Sequence, residues 1–127
     1  MNARKPSLEN INTTVVDWNL CIKLANNKTD VAEEILSLVI QQLPIDLLGI
    51  IKAYDKTDYT ALLQAIHRLH GALCYTGLPR LKNIIFDLES LLKQRTVDTK
   101  MLENKMRCLE SEVTAVITNV DGNLTRS

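Results

Sequence analysis

Residues 65–77 read AIHRLHGALCYTG and hold both histidines of the chain, His67 and His70, with Gly71 directly behind the second and Gly77 six residues on. Tyr59, Leu62, Ile66, Leu69 and Leu73 recur at three- and four-residue steps, so they line one side of an α-helix. The spacing predicts a helix from Asp58 to about Thr76, with Gly77 as the glycine that ends it. At about 100° per residue, the centre of this apolar stripe lies roughly 120° from His67 and roughly 60° from His70. His67 therefore faces water, and His70 sits at the edge of the core. Thr60, Leu63, Gln64, Gly71 and Cys74 surround His67 on the same wheel. Gly71 costs a helix about 1 kcal/mol relative to alanine. A missing side chain one turn from an exposed imidazole suits the close approach of another molecule.

The segments on either side carry the same period. Asp17 is placed to cap a short helix running through about Asn27, with Trp18, Cys21, Ile22 and Ala25 on one side. After the break NNKTD, Asp30 and Glu33 have capping-box spacing, and an apolar run continues to Ile51. Pro44 inside that run lacks the amide that would bond Ile40, which predicts a kink or two abutting helices. DKT (55–57) reads as a loop with Thr57 as a cap. Pro79 suits the first turn of a further helix, whose inner face is Leu81, Ile84, Ile85, Leu88, Leu91 and Leu92. RTVDT leads to a last helix with Leu102, Met106, Leu109, Val113 and Val116 inside. Short links between long amphipathic helices predict an all-α, antiparallel up-and-down four-helix bundle with an additional short N-terminal helix. Residues 1–12 read as a flexible arm, 13–120 as the bundle and 121–127 as a tail.

Composition narrows the function classes. The 127 residues carry 15 basic and 15 acidic side chains, so the chain lacks the concentrated positive charge of a nucleic-acid binder. Three cysteines without paired spacing (Cys21, Cys74, Cys108) suit free thiols in a reducing compartment. The opening residues do not read as a signal peptide. The apolar segment 35–51 is broken by Gln41, Gln42, Pro44 and Asp46, and reads as a core helix rather than a membrane span. Three readings of the histidine pair stand at this point. It is a solvated face on a helical adaptor, a metal site formed by His67, His70 and Cys74, or a reactive imidazole with space beside it. The metal reading finds no Asp or Glu at a neighbouring position on the helix to complete the ligand set.

The block IHRLHGALCYTGLPRLKNIIFDLE (66–89) resembles the active-site helix and following helix of histidine-containing phosphotransfer (HPt) domains. Their pattern is His, any residue, an aliphatic, usually Lys, Gly, a small residue, and Gly ten positions after the His. Here it falls on His67, Leu69, His70, Gly71, Ala72 and Gly77. The His in place of Lys, the continuation Tyr75 to Arg80 and the opening VVDWNLCIKLANNKTDVAEEILSLVIQQLP (15–44) are similar to the HPt domains that end tripartite hybrid sensor kinases of the BarA type. The resemblance covers roughly residues 15 to 95. It implies a phosphocarrier without kinase activity of its own, taking a phosphoryl group from a receiver-domain aspartate on His67 and passing it to a response-regulator aspartate. It implies no cofactor in this chain, with Mg²⁺ on the partner receiver. It also implies a cytoplasmic location, free or as the cytoplasmic end of an inner-membrane kinase, without membrane contact by the domain itself. His70 would stand near the incoming phosphoryl oxygens. Glu89 would hold the second ring N–H of His67 or, alternatively, pair on the surface with Lys82 or Lys93. The partner surface would comprise Thr60, Leu63, Gln64, Gly71, Cys74 and Tyr75, with the basic Arg68, Arg80 and Lys82 at its rim.

Overall fold

The computed structural model describes the backbone of residues 14–126 and side chains through residue 119. The arm at 1–12 lies outside the described residues. Among the described residues five helices follow one another: α1 (Trp18–Leu24), α2 (Thr29–Asp55), α3 (Tyr59–Leu73), α4 (Pro79–Leu92) and α5 (Thr99–Arg126). The last four close a ring in which α2 meets α3, α3 meets α4, α4 meets α5 and α5 returns to α2, while α1 packs on α2. Short links force neighbours to run antiparallel, and their apolar stripes meet at the centre. Leu43 and Ile50 of α2, Leu62, Ile66 and Leu73 of α3, Leu81, Ile85 and Leu88 of α4, and Leu102, Leu109 and Val116 of α5 are fully buried there.

Helix ends follow local chemistry and correct several boundaries. Asp17 caps α1 as expected, accepting from the Leu20 amide at 3.0 Å. The helix stops at Leu24, short of Asn27, because Asn26 and Asn27 take positive φ of 63° and 66°. The capping box at Asp30 does not form, since α2 begins at Thr29 with Lys28 in the cap position and no side-chain cap. Thr57 does not cap α3. It sits at φ 55°, and Asp58 supplies the cap, accepting from the Ala61 amide at 3.1 Å. Pro44 does not divide α2, which runs unbroken from Thr29 to Asp55. Leu36 and Leu43 before the proline and Ile50 after it are buried in the same core, which offsets the lost backbone bond. Only one face of α2 is core, however: Leu38, Ile45 and Leu48 are exposed. By length and composition α2 is the one helix among the described residues that could cross a membrane.

The turn between α3 and α4 differs most from expectation. The α3 helix ends at Leu73, and Gly77 does not have a positive φ, so it is not a helix-ending glycine. Its hydrogen matters for a different reason. The Asp17 amide donates to the Gly77 carbonyl at 2.9 Å, and the Gly77 amide donates to Cys21 Sγ at 3.2 Å. A Cβ on Gly77 would collide with the Asp17 carbonyl oxygen and stand 3.0 Å from the Cys21 nitrogen. Gly71 is the opposite case, exposed and with nothing within 4 Å of where a Cβ would stand.

The two glycines therefore respond differently to alanine. In urea unfolding, Gly77→Ala should lose about 1–3 kcal/mol through overpacking against α1. Gly71→Ala should gain up to about 1 kcal/mol from helix propensity. Equal effects, or the reverse order, would contradict this account of the turn.

Candidate functional site

Leu62, Ile66, Leu69 and Leu73 turn one face of α3 into the core, and Leu81, Ile85, Leu88 and Leu92 do the same for α4. The residue after Leu88 then falls at the seam between the two helices. That residue is Glu89, only 5% exposed. Its carboxylate is shared by both histidines of α3. His67 Nδ1 lies 2.5 Å from Oε2, and His70 Nδ1 lies 2.7 Å from Oε1. Lys93, one turn further along α4, approaches Oε2 at 3.4 Å. Glu89 thus makes the bond across the helix pair and also meets Lys93, but from a buried position rather than on the surface.

A buried carboxylate is normally driven toward its neutral form. Here the hydrogen bond from His67 is the largest influence and outweighs that desolvation. With the bond from His70 and the charge of Lys93 it takes the Glu89 pKa from 4.5 down to about 2. At neutral pH the carboxylate is ionised and can only accept, so each neutral imidazole must carry its proton on Nδ1. The lone pair of each ring is then on Nε2. The rings differ in access, the His67 side chain being 73% exposed and that of His70 25%. His70 also lies edge-on to Phe86 of α4, with ring centroids 6.2 Å apart.

The residues expected around His67 divide into those that share its surroundings and one that does not. Thr60, Gln64, Arg68, Gly71 and Cys74 are exposed, and Leu63 is half-buried against the core. By helical spacing Thr60, Leu63, Gln64, Gly71 and Cys74 share the His67 face of α3. Tyr75 lies just past the helix end and is 66% exposed. Lys82 falls on the α4 stripe that carries Phe86, Glu89 and Lys93. Arg80 is directed elsewhere, donating to Glu112 of α5 at 2.7 Å. Glu112 is buried and adjoins Leu109 and Val113 of the inner stripe, so its position on the wheel was a legible sign of a buried ion pair. The sequence reading also passed over Phe86, because it adjoins the buried Ile85 in an apolar run. No group of three or more His, Cys, Asp or Glu side chains among the described residues is arranged to hold a metal ion.

The model of the Hpt domain family matches residues 34–119, and the chain belongs to that family. The chain is 36% identical over 92 residues to the sensor protein GacS of Pseudomonas syringae pv. syringae, an alignment covering 72% of this chain and 10% of GacS. It is 30% identical over 101 residues to the signal transduction histidine-protein kinase BarA of Escherichia coli K12, covering 80% of this chain and 11% of BarA. The chain thus spans about a tenth of the length of these relatives. Among solved structures, the HPT domain of a sensor hybrid histidine kinase from Shewanella superposes with a TM-score of 0.80 at 34% identity. That match covers 89% of this chain and 96% of the other.

The lowered pKa of Glu89 gives a signed prediction. Unfolded, Glu89 takes up its proton near the ordinary carboxylate value of 4.5, and folded only near 2. Its contribution to stability is therefore complete above about pH 4.5 and is lost as pH falls through about 2. The stability advantage of the native chain over Glu89→Gln should be largest above that window and fade toward pH 2. An advantage that grows on acidification would contradict the ionised, doubly held carboxylate.

Proposed function

We propose that this chain is the phosphocarrier module of a phosphorelay, with His67 as the residue that carries the phosphoryl group. The observation that carries the reading is the bond from His67 Nδ1–H to Glu89, which leaves the Nε2 lone pair pointing away from the carboxylate on a ring that is mostly exposed. That lone pair would attack the phosphorus of an aspartyl phosphate in line with the leaving oxygen. An N–P bond forms, the O–P bond to the aspartate breaks, and the aspartate departs as a carboxylate with the bonding electrons. The Nδ1 proton stays where it is. The ring gains the character of a cation, and the anionic Glu89 beside it offsets that charge. Reversal of the same step onto a second aspartate empties the carrier.

Each remaining component has a defined part. His70 holds the second carboxylate oxygen and so fixes the plane in which Glu89 meets His67. Gly71 keeps the space beside the imidazole open for the incoming group. Thr60, Leu63, Gln64, Arg68, Cys74 and Tyr75 supply the surface under a receiver domain, and Lys82 supplies charge at its edge. Arg80, held by Glu112, contributes to the scaffold rather than to steering. Mg²⁺ would arrive on the receiver, whose acidic site is its natural ligand set. Both exchange partners are receiver domains, the donor and the response regulator, and the module works in the cytoplasm.

The test is direct. A receiver domain carrying a radiolabelled aspartyl phosphate should label the native chain, giving an acid-labile, base-stable product. His67→Gln should remove the label entirely, while Glu89→Gln should slow labelling by about tenfold or more. Undiminished label on His67→Gln would sink the proposal. Normal partner binding with no label on the native chain would favour a non-catalytic adaptor instead.

A further inference from the structure

The chain has five aromatic side chains, one Trp, three Tyr and one Phe. Trp18, Tyr54 and Tyr59 are partly buried and pack on the core. The other two, Tyr75 and Phe86, are exposed at 66% and 57%. One follows α3 directly, and the other stands on α4 against the imidazole of His70. Phe86 is three residues before Glu89, on the stripe of α4 that faces the seam. Its ring lies edge-on to His70 and makes no other ring contact among the described residues. On α3, Gly71 follows His70, exposed and with nothing within 4 Å of where a Cβ would stand. A protruding ring therefore stands beside the histidine pair.

We infer that Phe86 is an anchor for the receiver domain that exchanges phosphoryl groups with His67, an inference that rests on the phosphocarrier reading. A donor must bring phosphorus within bonding distance of His67 Nε2, so its surface has to close over the α3–α4 seam. Phe86 stands on that seam, so such a partner buries it. Exposed, rigid aromatic rings near the centre of a contact are the residues that most often dominate association. A ring that served only to pack His70 would not need to leave more than half its surface in water. Docking and chemistry then draw on different atoms. Phe86 holds the protein partner, and Glu89 prepares the imidazole.

Two phosphodonors separate these roles. Phosphoramidate is a small donor that reaches an imidazole without any protein surface, whereas a phosphorylated receiver must dock. Phe86→Ala should lower kcat/KM for transfer from the receiver by about tenfold or more, mainly through KM. Labelling of His67 by phosphoramidate should stay within about twofold of the native rate, since the group that prepares the nitrogen is untouched. Phe86→Tyr, which keeps the ring, should retain most of the receiver-dependent rate. Unchanged transfer from the receiver in Phe86→Ala would overturn the inference. A parallel loss with both donors would also overturn it, showing that Phe86 acts by positioning His70. A native chain labelled by phosphoramidate but by no receiver would refute the phosphorelay reading, and this inference with it.

Discussion

One carboxylate between two imidazoles organises the site. Glu89 is buried, which alone would favour its protonated form, yet donors from His67, His70 and Lys93 keep it ionised. The ionised state removes ambiguity from the histidines. An acceptor on each Nδ1 requires a proton there, so the free lone pairs are confined to Nε2. Of the two, His67 has the exposed ring. A single electrostatic arrangement therefore distinguishes both the nitrogen and the ring.

The bundle exists, from this viewpoint, to hold two helices in one register. Antiparallel packing of α3 and α4 places Glu89 opposite His67 and His70, and the buried stripes of both helices prevent sliding. The intervening turn is closed by α1, whose Asp17 and Cys21 bond to Gly77 and whose backbone occupies the space a side chain there would need. This short helix lies before residue 34, where the family match begins, and braces the turn nearest the site.

Much of this was legible in the order of residues. The apolar period of α3 separated an exposed His67 from a half-buried His70, and Asp17 announced the first cap. Phosphotransfer followed from the histidine–glycine spacing through resemblance rather than from geometry. What escaped had identifiable physical causes. Gly77 looked like a helix terminator because a glycine after an apolar stripe usually is one, whereas its real constraint is contact with α1, more than fifty residues earlier in the chain. Of the two outcomes allowed at Pro44, a kink or two abutting helices, the second is excluded, because Leu43 and Ile50 are buried in one core, which a local rule for proline does not weigh. The Arg80–Glu112 pair and the exposure of Phe86 depend on how α4 rotates between α3 and α5. Sequence periodicity sets that rotation only to within a side chain.

The central claim is that Glu89 fixes the His67 tautomer, with its proton on Nδ1 and its lone pair on Nε2. Long-range ¹H–¹⁵N NMR of the imidazoles reads this directly in the native protein at a pH where the rings are neutral. The account predicts a protonated Nδ1 and an unprotonated Nε2 for His67, with the preference weakened in Glu89→Gln. A His67 ring whose proton resides on Nε2 in the native protein would contradict it.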